Sequence, residues 1–432
     1  MNQDILSWAR SLYMYPKENR SEVNDLFSKT KDRDITKRGV IWLGQTCNLR
    51  CFFCYFTDKI RDKDHPEHAF MSLEKAKKIC YTLRTVYGNT AIDIQGGEPT
   101  IYPEIFELIK YCCDIGLEPT LITNGIVLAS EDKCKKFKDA GVKDFLLSVH
   151  GLGKTYDKVV GLDGGSKKQM KALYNLQKLD IPFRLNCTMT KDVVDEIENV
   201  ATLSIETGAL VVNFIAFNPF ADQQGENGRS TENVPNYSKI KNHLSIAIDR
   251  LEEAGIETNV RYLPMCMAEK RHLKNFYNFQ QLSYDPHEWD YNSWTWTTRV
   301  NQRSNSPDLD RPIPILMYEI DEYNGIKFGD AAKHGNRVHY LLDINLEEHL
   351  LKMFTAAIPK DLLYRQNGRL RAEKHCKYQY NDTCKVCGLR LICDGFHSDY
   401  SSIFGTSEAK AFDIELIDDP KYFIKEQEKI VY

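Results

Sequence analysis

Gly39-Val40-Ile41-Trp42-Leu43-Gly44-Gln45-Thr46-Cys47-Asn48-Leu49-Arg50-Cys51-Phe52-Phe53-Cys54 joins a short apolar run to three closely spaced cysteines. The run is β-rich and bounded by glycines, as a strand buried on both faces is. Five further runs of this kind follow: Ala91 to Gln95, Pro119 to Thr123, Phe145 to Val149, Phe183 to Met189 and Val211 to Phe217. Amphipathic patterns lie between them. Ser72 opens one, and Ile105, Leu108, Ile109 and Cys112 share the apolar face of the next. Ser130 and Gly141 bracket a third. Met170 with Leu173, Val193 with Ile197, and the span from Tyr237 to Ala254 mark three more. Strands alternating with helices at this spacing predict a parallel sheet with helices outside.

Six such units predict an α/β fold, a partial (βα)6 TIM-like barrel over residues 38–262, with the active site in loops at the C-terminal ends of the strands. Residues 1–37 read as a polar, helical N-terminal extension. The rhythm stops after about Val260. Residues 263–345 are irregular and rich in aromatic side chains, among them Phe276, Tyr277, Trp289, Tyr291, Trp294 and Trp296. That span reads equally as a substrate-stacking insert or as a lid over the barrel. Residues 346–432 hold a second, dense group of cysteines and a charged tail.

Composition narrows the class. The chain of 432 residues is 42% hydrophobic and 27% charged, which is ordinary for a globular protein. A net charge of −4 and the lack of a basic stripe argue against nucleic acid as a partner. No signal-like segment and no span of membrane length is present, so a cytoplasmic location without membrane contact is expected. In a reducing compartment, clustered cysteines bind metal or do chemistry rather than form disulfides.

Cys47, Cys51 and Cys54 have C-x3-C-x2-C spacing in a loop at the C-terminal end of the first strand. Three thiolates can hold three irons of a cubane and leave the fourth iron open, as catalysis requires. The alternative is zinc, with a fourth ligand from His65 or His68. Phe53 precedes the last cysteine, and the second strand ends in Gln95-Gly96-Gly97-Glu98-Pro99-Thr100. The cysteine spacing, that aromatic residue and the Gly-Gly-Glu-Pro sequence together resemble the radical S-adenosylmethionine (SAM) superfamily over roughly residues 38–262.

The resemblance implies a SAM-binding 4Fe-4S cluster on Cys47, Cys51 and Cys54, with SAM chelating the open iron. Reductive cleavage of SAM then yields a 5′-deoxyadenosyl radical that takes a hydrogen atom from the substrate. Flavodoxin or ferredoxin is the implied electron donor. By position, Gly96 and Gly97 should meet the SAM amino group, with Glu98 nearby and Phe53 beside the adenine. Asn124 and Ser148 close the third and fourth strands. On the fifth, Arg184, Asn186 and Thr188 alternate with Leu185, Cys187 and Met189. If the polar set points inward, Asn186 and Arg184 are candidates for the SAM ribose or carboxylate, and Cys187 is core. His150 and Arg184 are the candidate catalytic residues, His150 through contact with substrate; a structural histidine is the equal alternative.

Cys376, Cys384, Cys387 and Cys393 lie within eighteen residues, which is a metal-site density. Their C-x2-C-x5-C core resembles the C-terminal SPASM or twitch extension of radical SAM enzymes, which carries auxiliary iron–sulfur clusters. His397 stands where a further SPASM cysteine would fall, and only Cys266 stands where two would follow the barrel. The resemblance therefore implies a C-terminal iron–sulfur extension with one auxiliary 4Fe-4S cluster on Cys384, Cys387 and Cys393. Cys266, slightly favoured, or Cys376 would complete it. A small zinc ribbon is the alternative. Cys80, Cys112, Cys113 and Cys134 fall in helical patterns and are expected to be packing residues.

Three functional readings follow. The first is radical oxidation, epimerisation or rearrangement of a small polar molecule such as a sugar, nucleoside or aminocyclitol. The second is maturation of a ribosomal peptide, with protein sulfatase maturation as a variant. It is weakened by the 46 residues before Cys47, too few for a leader-binding module of the usual size. The third is a non-catalytic iron–sulfur or zinc-binding protein.

Overall fold

The computed structural model describes residues 27–54, 69–85, 88–217, 229–287, 294–295, 313–314, 322–323, 326–327, 372 and 377–431. Most of the expected N-terminal extension, much of the aromatic-rich insert and Cys376 lie outside the described residues.

The six expected strands are β2 (Arg38–Trp42), β3 (Ala91–Gln95), β4 (Glu118–Thr123), β5 (Asp144–Ser148), β6 (Phe183–Met189) and β7 (Val211–Ala216). They pair in that order, each parallel to the last. The helices between them are α1 (Leu73–Thr85), α2 (Ile105–Asp114), α3 (Glu131–Ala140), α4 (Gly153–Val160), α5 (Gly165–Lys178) and α6 (Ile197–Thr207). Each buries one stripe: in α1 it is Ala76, Ile79, Cys80 and Leu83, and in α2 Ile105, Leu108, Ile109 and Cys112. Gly141 ends α3 with φ 95°, a backbone that a side chain would strain. Cys80, Cys112 and Cys134 are packing residues as expected, but Cys113 is exposed.

The sheet runs two strands further than the sequence rhythm implied. After α7 (Tyr237–Glu253), β8 (Glu257–Arg261) pairs parallel with β7, and β9 (Phe276–Tyr277) pairs parallel with β8. Eight parallel strands therefore curl into an open half-barrel, with β10 (Trp294–Thr295) and β11 (Ile313–Pro314) added beyond β2. β8 was hidden by composition: it reads Glu-Thr-Asn-Val-Arg yet is buried along its whole length. A separate hairpin joins β12 (Glu322–Tyr323) to β13 (Ile326–Lys327).

Those polar residues belong to a charged filling at the N-terminal end of the barrel. Arg38 donates to Asp93 at 2.7 Å and to Thr120 at 3.0 Å. Thr120 donates to Asp144, and Arg184 pairs with the same carboxylate. Opposite them, Arg261 pairs with Asp285 at 2.7 Å and Lys429 with Glu257 at 2.7 Å. Lys429 comes from β14 (Lys429–Val431), which pairs antiparallel with β1 (Ser28–Thr30) and so ties both ends of the described chain to the barrel floor. Burial alone would raise Asp144, but the Arg184 guanidinium beside it holds it well below the usual carboxylate range.

α8 (Ser398–Phe404) carries Tyr400, which stacks on Tyr237 at 3.5 Å between ring centroids. Tyr400 also accepts a hydrogen bond from the Tyr237 N–H at 3.0 Å. This contact seats the C-terminal unit on the start of α7.

Breaking the buried pair on one side only should be severe. Asp144→Asn and Arg184→Met are each expected to cost about 3–5 kcal/mol in denaturant unfolding. The double variant Asp144→Leu/Arg184→Met should lose clearly less than the sum. Additive losses would contradict the pairing.

Candidate active site

The cysteine loop is held from two sides. On one, the Gly97 N–H donates to Gly44 O at 2.9 Å and the Glu98 N–H to Thr46 O at 2.8 Å. A Cβ on Gly97 would lie 2.2 Å from Thr46 O, so only glycine permits this approach. On the other side, the Arg50 N–H donates to Val160 O at 3.0 Å and the Phe52 N–H to Val159 O at 3.3 Å, at the end of α4.

Cys47, Cys51 and Cys54 are half-buried and feel one another's charge. Burial pushes the Cys47 thiol up to about 12, against a hydrogen bond from the Leu49 N–H at 3.4 Å, and burial pushes Cys51 up as well. The bare Cys47 and Cys51 thiols are therefore protonated. They become thiolates only when a cation compensates, so metal loading here releases protons.

Glu98 is fully buried and joins three loops. One carboxylate oxygen accepts from the Thr100 N–H at 3.0 Å and from the Thr100 and Thr123 hydroxyls; the other accepts from the Asn124 N–H at 2.8 Å. Burial pushes Glu98 up, and the surrounding donors pull it back. The carboxylate is thus occupied by protein donors rather than aimed at the cleft. Asn124 continues the link, donating to Asn48 Oδ1 at 2.7 Å, with its amide 3.9 Å from Cys47 Sγ.

The rim gathers most of the expected residues. Ser148, the last residue of β5, is in register with Asn186 of β6, and both side chains are half-buried. Cys187, between the inward positions, is core. His150 is buried, with its ring 4.7 Å from that of Phe53. The Thr188 N–H donates to His150 Nδ1 at 3.0 Å, which leaves the ring proton on Nε2. Burial drops His150 to about 3, so the ring is neutral and can donate but not serve as a ready base.

Arg184 is not with this group. It does point inward, but it lies near the start of β6, locked to Asp144 in the barrel floor, so the expected contact with SAM or substrate is not the one this geometry supports.

The C-terminal cysteines also come together. Cys266 feels the charge of Cys384 and Cys387, and Cys393 that of Cys266. Burial pushes Cys266 up to about 11, and burial raises Cys384 and Cys393 too. Backbone N–H groups point at the sulfurs: Met265 and Gly395 at 3.4 Å from Cys393 Sγ, and Phe412 at 3.4 Å from Cys387 Sγ. Such donors stabilise cluster thiolates. Among the described residues no three His, Cys, Asp or Glu side chains converge tightly enough for a single metal ion. A cubane, whose irons are each held by a separate thiolate, makes no such demand.

Sequence reasoning missed Phe217, Asn48 and Arg229. The Phe217 ring meets Phe52 at 5.9 Å and Phe53 at 6.1 Å, and the Arg229 guanidinium lies 3.5 Å over it. Phe217 did stand at the expected strand end; nothing in the sequence tied Arg229 to it.

The half-barrel thus carries three neighbouring thiols in the loop after β2, at the C-terminal end of the parallel strands. Residues 43–203 match the Radical SAM superfamily, and the chain carries a radical SAM domain. The AdoMet-dependent heme synthase of Methanosarcina barkeri is 30% identical over 175 residues, 40% of this chain and 48% of that protein. The PqqA peptide cyclase of Bradyrhizobium diazoefficiens is 26% identical over 164 residues, 38% of this chain and 42% of its own. The chain thus spans about half the length of the curated relatives it matches. The solved structure of native anSMEcpe with bound AdoMet gives a TM-score of 0.50 at 16% identity, covering 90% of this chain and 95% of that one, a likeness of fold. Among the described residues no helix is long and apolar enough to cross a membrane.

The burial of His150 has a measurable consequence. Its value falls from 6.5 to about 3 on folding, so its contribution to stability is complete above pH 6.5 and is lost as pH falls towards 3. Urea unfolding between pH 6 and 5 should lose about 1.4 kcal/mol per pH unit from this group. His150→Gln should flatten that slope; an unchanged slope would place the titration elsewhere.

Proposed function

We propose that this chain is a radical SAM enzyme that cleaves SAM reductively and removes a hydrogen atom from a small polar substrate, leading to oxidation, epimerisation or rearrangement. The observation that carries the reading is the loop of Cys47, Cys51 and Cys54, locked to Gly97 and Glu98 at the mouth of the half-barrel. When bound, the cluster and SAM would supply one-electron chemistry and the hydrogen-abstracting group.

The chain's own residues then hold and orient. Cys47, Cys51 and Cys54 would ligate three irons. The N–H groups of Gly97 and Glu98 are spent on the cysteine loop, so Gly96 and Gly97 would offer carbonyl oxygens, suitable partners for an ammonium group. Phe53 would flank the adenine, and Asn124, Ser148 and Asn186 offer polar groups for ribose and carboxylate. His150, neutral with its proton on Nε2, would donate to substrate rather than accept a proton. Arg184 is assigned to the barrel floor and Glu98 to fastening the loops.

At the C-terminus, Cys266, Cys384, Cys387 and Cys393 would hold one auxiliary 4Fe-4S cluster in a SPASM- or twitch-like unit. The N–H donors aimed at Cys387 and Cys393 support that role, and Cys266, which neighbours the others, would be the fourth ligand. An auxiliary cluster at this place would accept an electron from a substrate radical and make the reaction an oxidation. A flavodoxin- or ferredoxin-type protein would supply the initial electron.

A peptide substrate is the second reading. It is favoured by the likeness to the Bradyrhizobium diazoefficiens PqqA peptide cyclase.

Iron and sulfide per chain after anaerobic reconstitution test the two-cluster assignment. Wild type should hold about eight irons, falling to about four in the Cys47→Ala/Cys51→Ala/Cys54→Ala variant and again to about four in Cys384→Ala/Cys387→Ala/Cys393→Ala. About four falling to none in the first variant would remove the auxiliary cluster.

A further inference from the structure

The outer side of the cysteine loop packs on α4. Besides the hydrogen bonds from Arg50 and Phe52, a Cβ on Gly161 would lie 3.5 Å from the Arg50 Cβ. Lys154, Lys158 and Gly161 are four and three residues apart, so they share one stripe of α4 and its C-cap, and all three are exposed. Arg50 is exposed beside them and directs its guanidinium at backbone oxygens, Cys47 O at 2.7 Å and Leu49 O at 2.6 Å. The start of α5 is tied to the same helix, since the Gly164 and Ser166 N–H groups donate to Asp157 at 2.8 and 2.7 Å. The first two turns of α5 carry Lys167, Lys168 and Lys171, all exposed, with no acidic residue in the first turn. Cations at that end oppose the helix dipole, so helix stability does not call for them. Lys158 pairs with Asp192 at 2.8 Å, whereas Arg50, Lys154, Lys167, Lys168 and Lys171 make no ion pair among the described residues. Between residues 153 and 171 the acids are Asp157, engaged as above, and Asp163.

A hollow of about 700 Å³ opens on this basic side. Ile126, Val127 and Ala129, from the turn after β4, give it an apolar lining, and Lys168, Lys171, Glu131 and Asp132 line it too. Glu131 is already engaged by Lys135 at 2.9 Å and Lys178 at 2.8 Å, so the two lysines outweigh Asp132. The hollow is close to the thiols. The Ile126 N–H donates to Asn124 Oδ1 at 3.0 Å, and the Asn124 amide donates to Asn48 and lies 3.9 Å from Cys47 Sγ. One side chain therefore separates the apolar lining from Cys47. The exposed surface at the C-terminal cysteines has no such sign: Lys385, Arg390 and Lys410 are interspersed with Asp382, Asp413 and Glu415.

We propose that the exposed face of α4 and the start of α5, with the hollow beside Asn124, is the docking surface for an acidic one-electron carrier protein whose redox group is a flavin. The electron then enters at the first cysteine group and not at the C-terminal one. This rests on the reading of the chain as a radical SAM enzyme and deepens it. The basic face attracts and steers an acidic partner. The apolar lining receives the flat apolar edge of a bound flavin, at the point where the surface comes nearest to Cys47. The carrier loses one electron and the cluster on Cys47, Cys51 and Cys54 gains it; no bond is made or broken and no proton moves.

The test titrates the reconstituted full chain with an acidic flavodoxin and reads binding by calorimetry. Wild type should bind, with an affinity that falls about tenfold as salt rises from about 50 to about 300 mM. Lys154→Glu/Lys168→Glu should weaken binding by about tenfold at low salt. Lys110→Glu/Lys425→Glu, the same change of charge at exposed positions elsewhere, should leave it unchanged. Flavodoxin-driven formation of 5′-deoxyadenosine should fall in the first variant, while dithionite-driven formation stays at the wild-type rate and shows that this variant folds and holds its cluster. Absent or salt-insensitive binding to wild type, wild-type affinity in Lys154→Glu/Lys168→Glu, or equal weakening in the control variant would overturn the docking surface. Binding of an acidic ferredoxin but not of flavodoxin would overturn the flavin partner. Dithionite-driven SAM cleavage by wild type separates these outcomes from failure of the enzymatic reading.

Discussion

Three loops meet at Glu98. Its backbone N–H holds the cysteine loop after β2, its own segment closes β3, and its side chain receives Thr123 and Asn124 from the end of β4. Without that fastening the cysteine loop would be free on one side, and the distances among its three thiols would drift. Gly97 makes the approach possible, because any side chain there would collide with Thr46 O. The Gly-Gly-Glu sequence is therefore a device for placing the loop, and what it leaves to a cofactor is backbone carbonyl oxygen.

The barrel divides its labour along its axis. The floor is charged and closed, filled by Arg38, Asp93, Asp144 and Arg184 on one side and by Glu257, Asp285, Arg261 and Lys429 on the other. The mouth carries half-buried thiols, neutral His150 and a ring of aromatic side chains. A sealed polar floor fixes the strands in register, and register determines which residues emerge at the top. Radical chemistry needs such a rigid scaffold, since a reactive group held loosely attacks its own protein or solvent. The C-terminal unit completes the enclosure, seated on α7 through Tyr400 and Tyr237.

Much of this was legible in the sequence. Six strands, their order and the position of the cysteine loop followed from alternation of apolar runs and amphipathic helices. The nearness of Cys266 to Cys384, Cys387 and Cys393 was legible only through the resemblance, which left Cys266 and Cys376 as alternatives. What escaped was polar. β8 has three charged or amide side chains in five residues, which read as a loop until the buried partners Lys429 and Asp285 are in place. Arg184 alternated correctly into the barrel, but alternation gives the face and not the height, and its partner Asp144 lies at the floor. Arg229 is a lone residue before a polar stretch, and no local pattern links it to Phe217.

The most direct test is the anaerobic incubation of reconstituted protein with SAM and a strong one-electron reductant, with 5′-deoxyadenosine as the measured product. Wild type should form it, and the variant lacking Cys47, Cys51 and Cys54 should form none while keeping the iron held at the C-terminus. Absence of 5′-deoxyadenosine from wild type with a full iron complement, or equal formation by the variant, would contradict the assignment of this loop as the site of SAM cleavage.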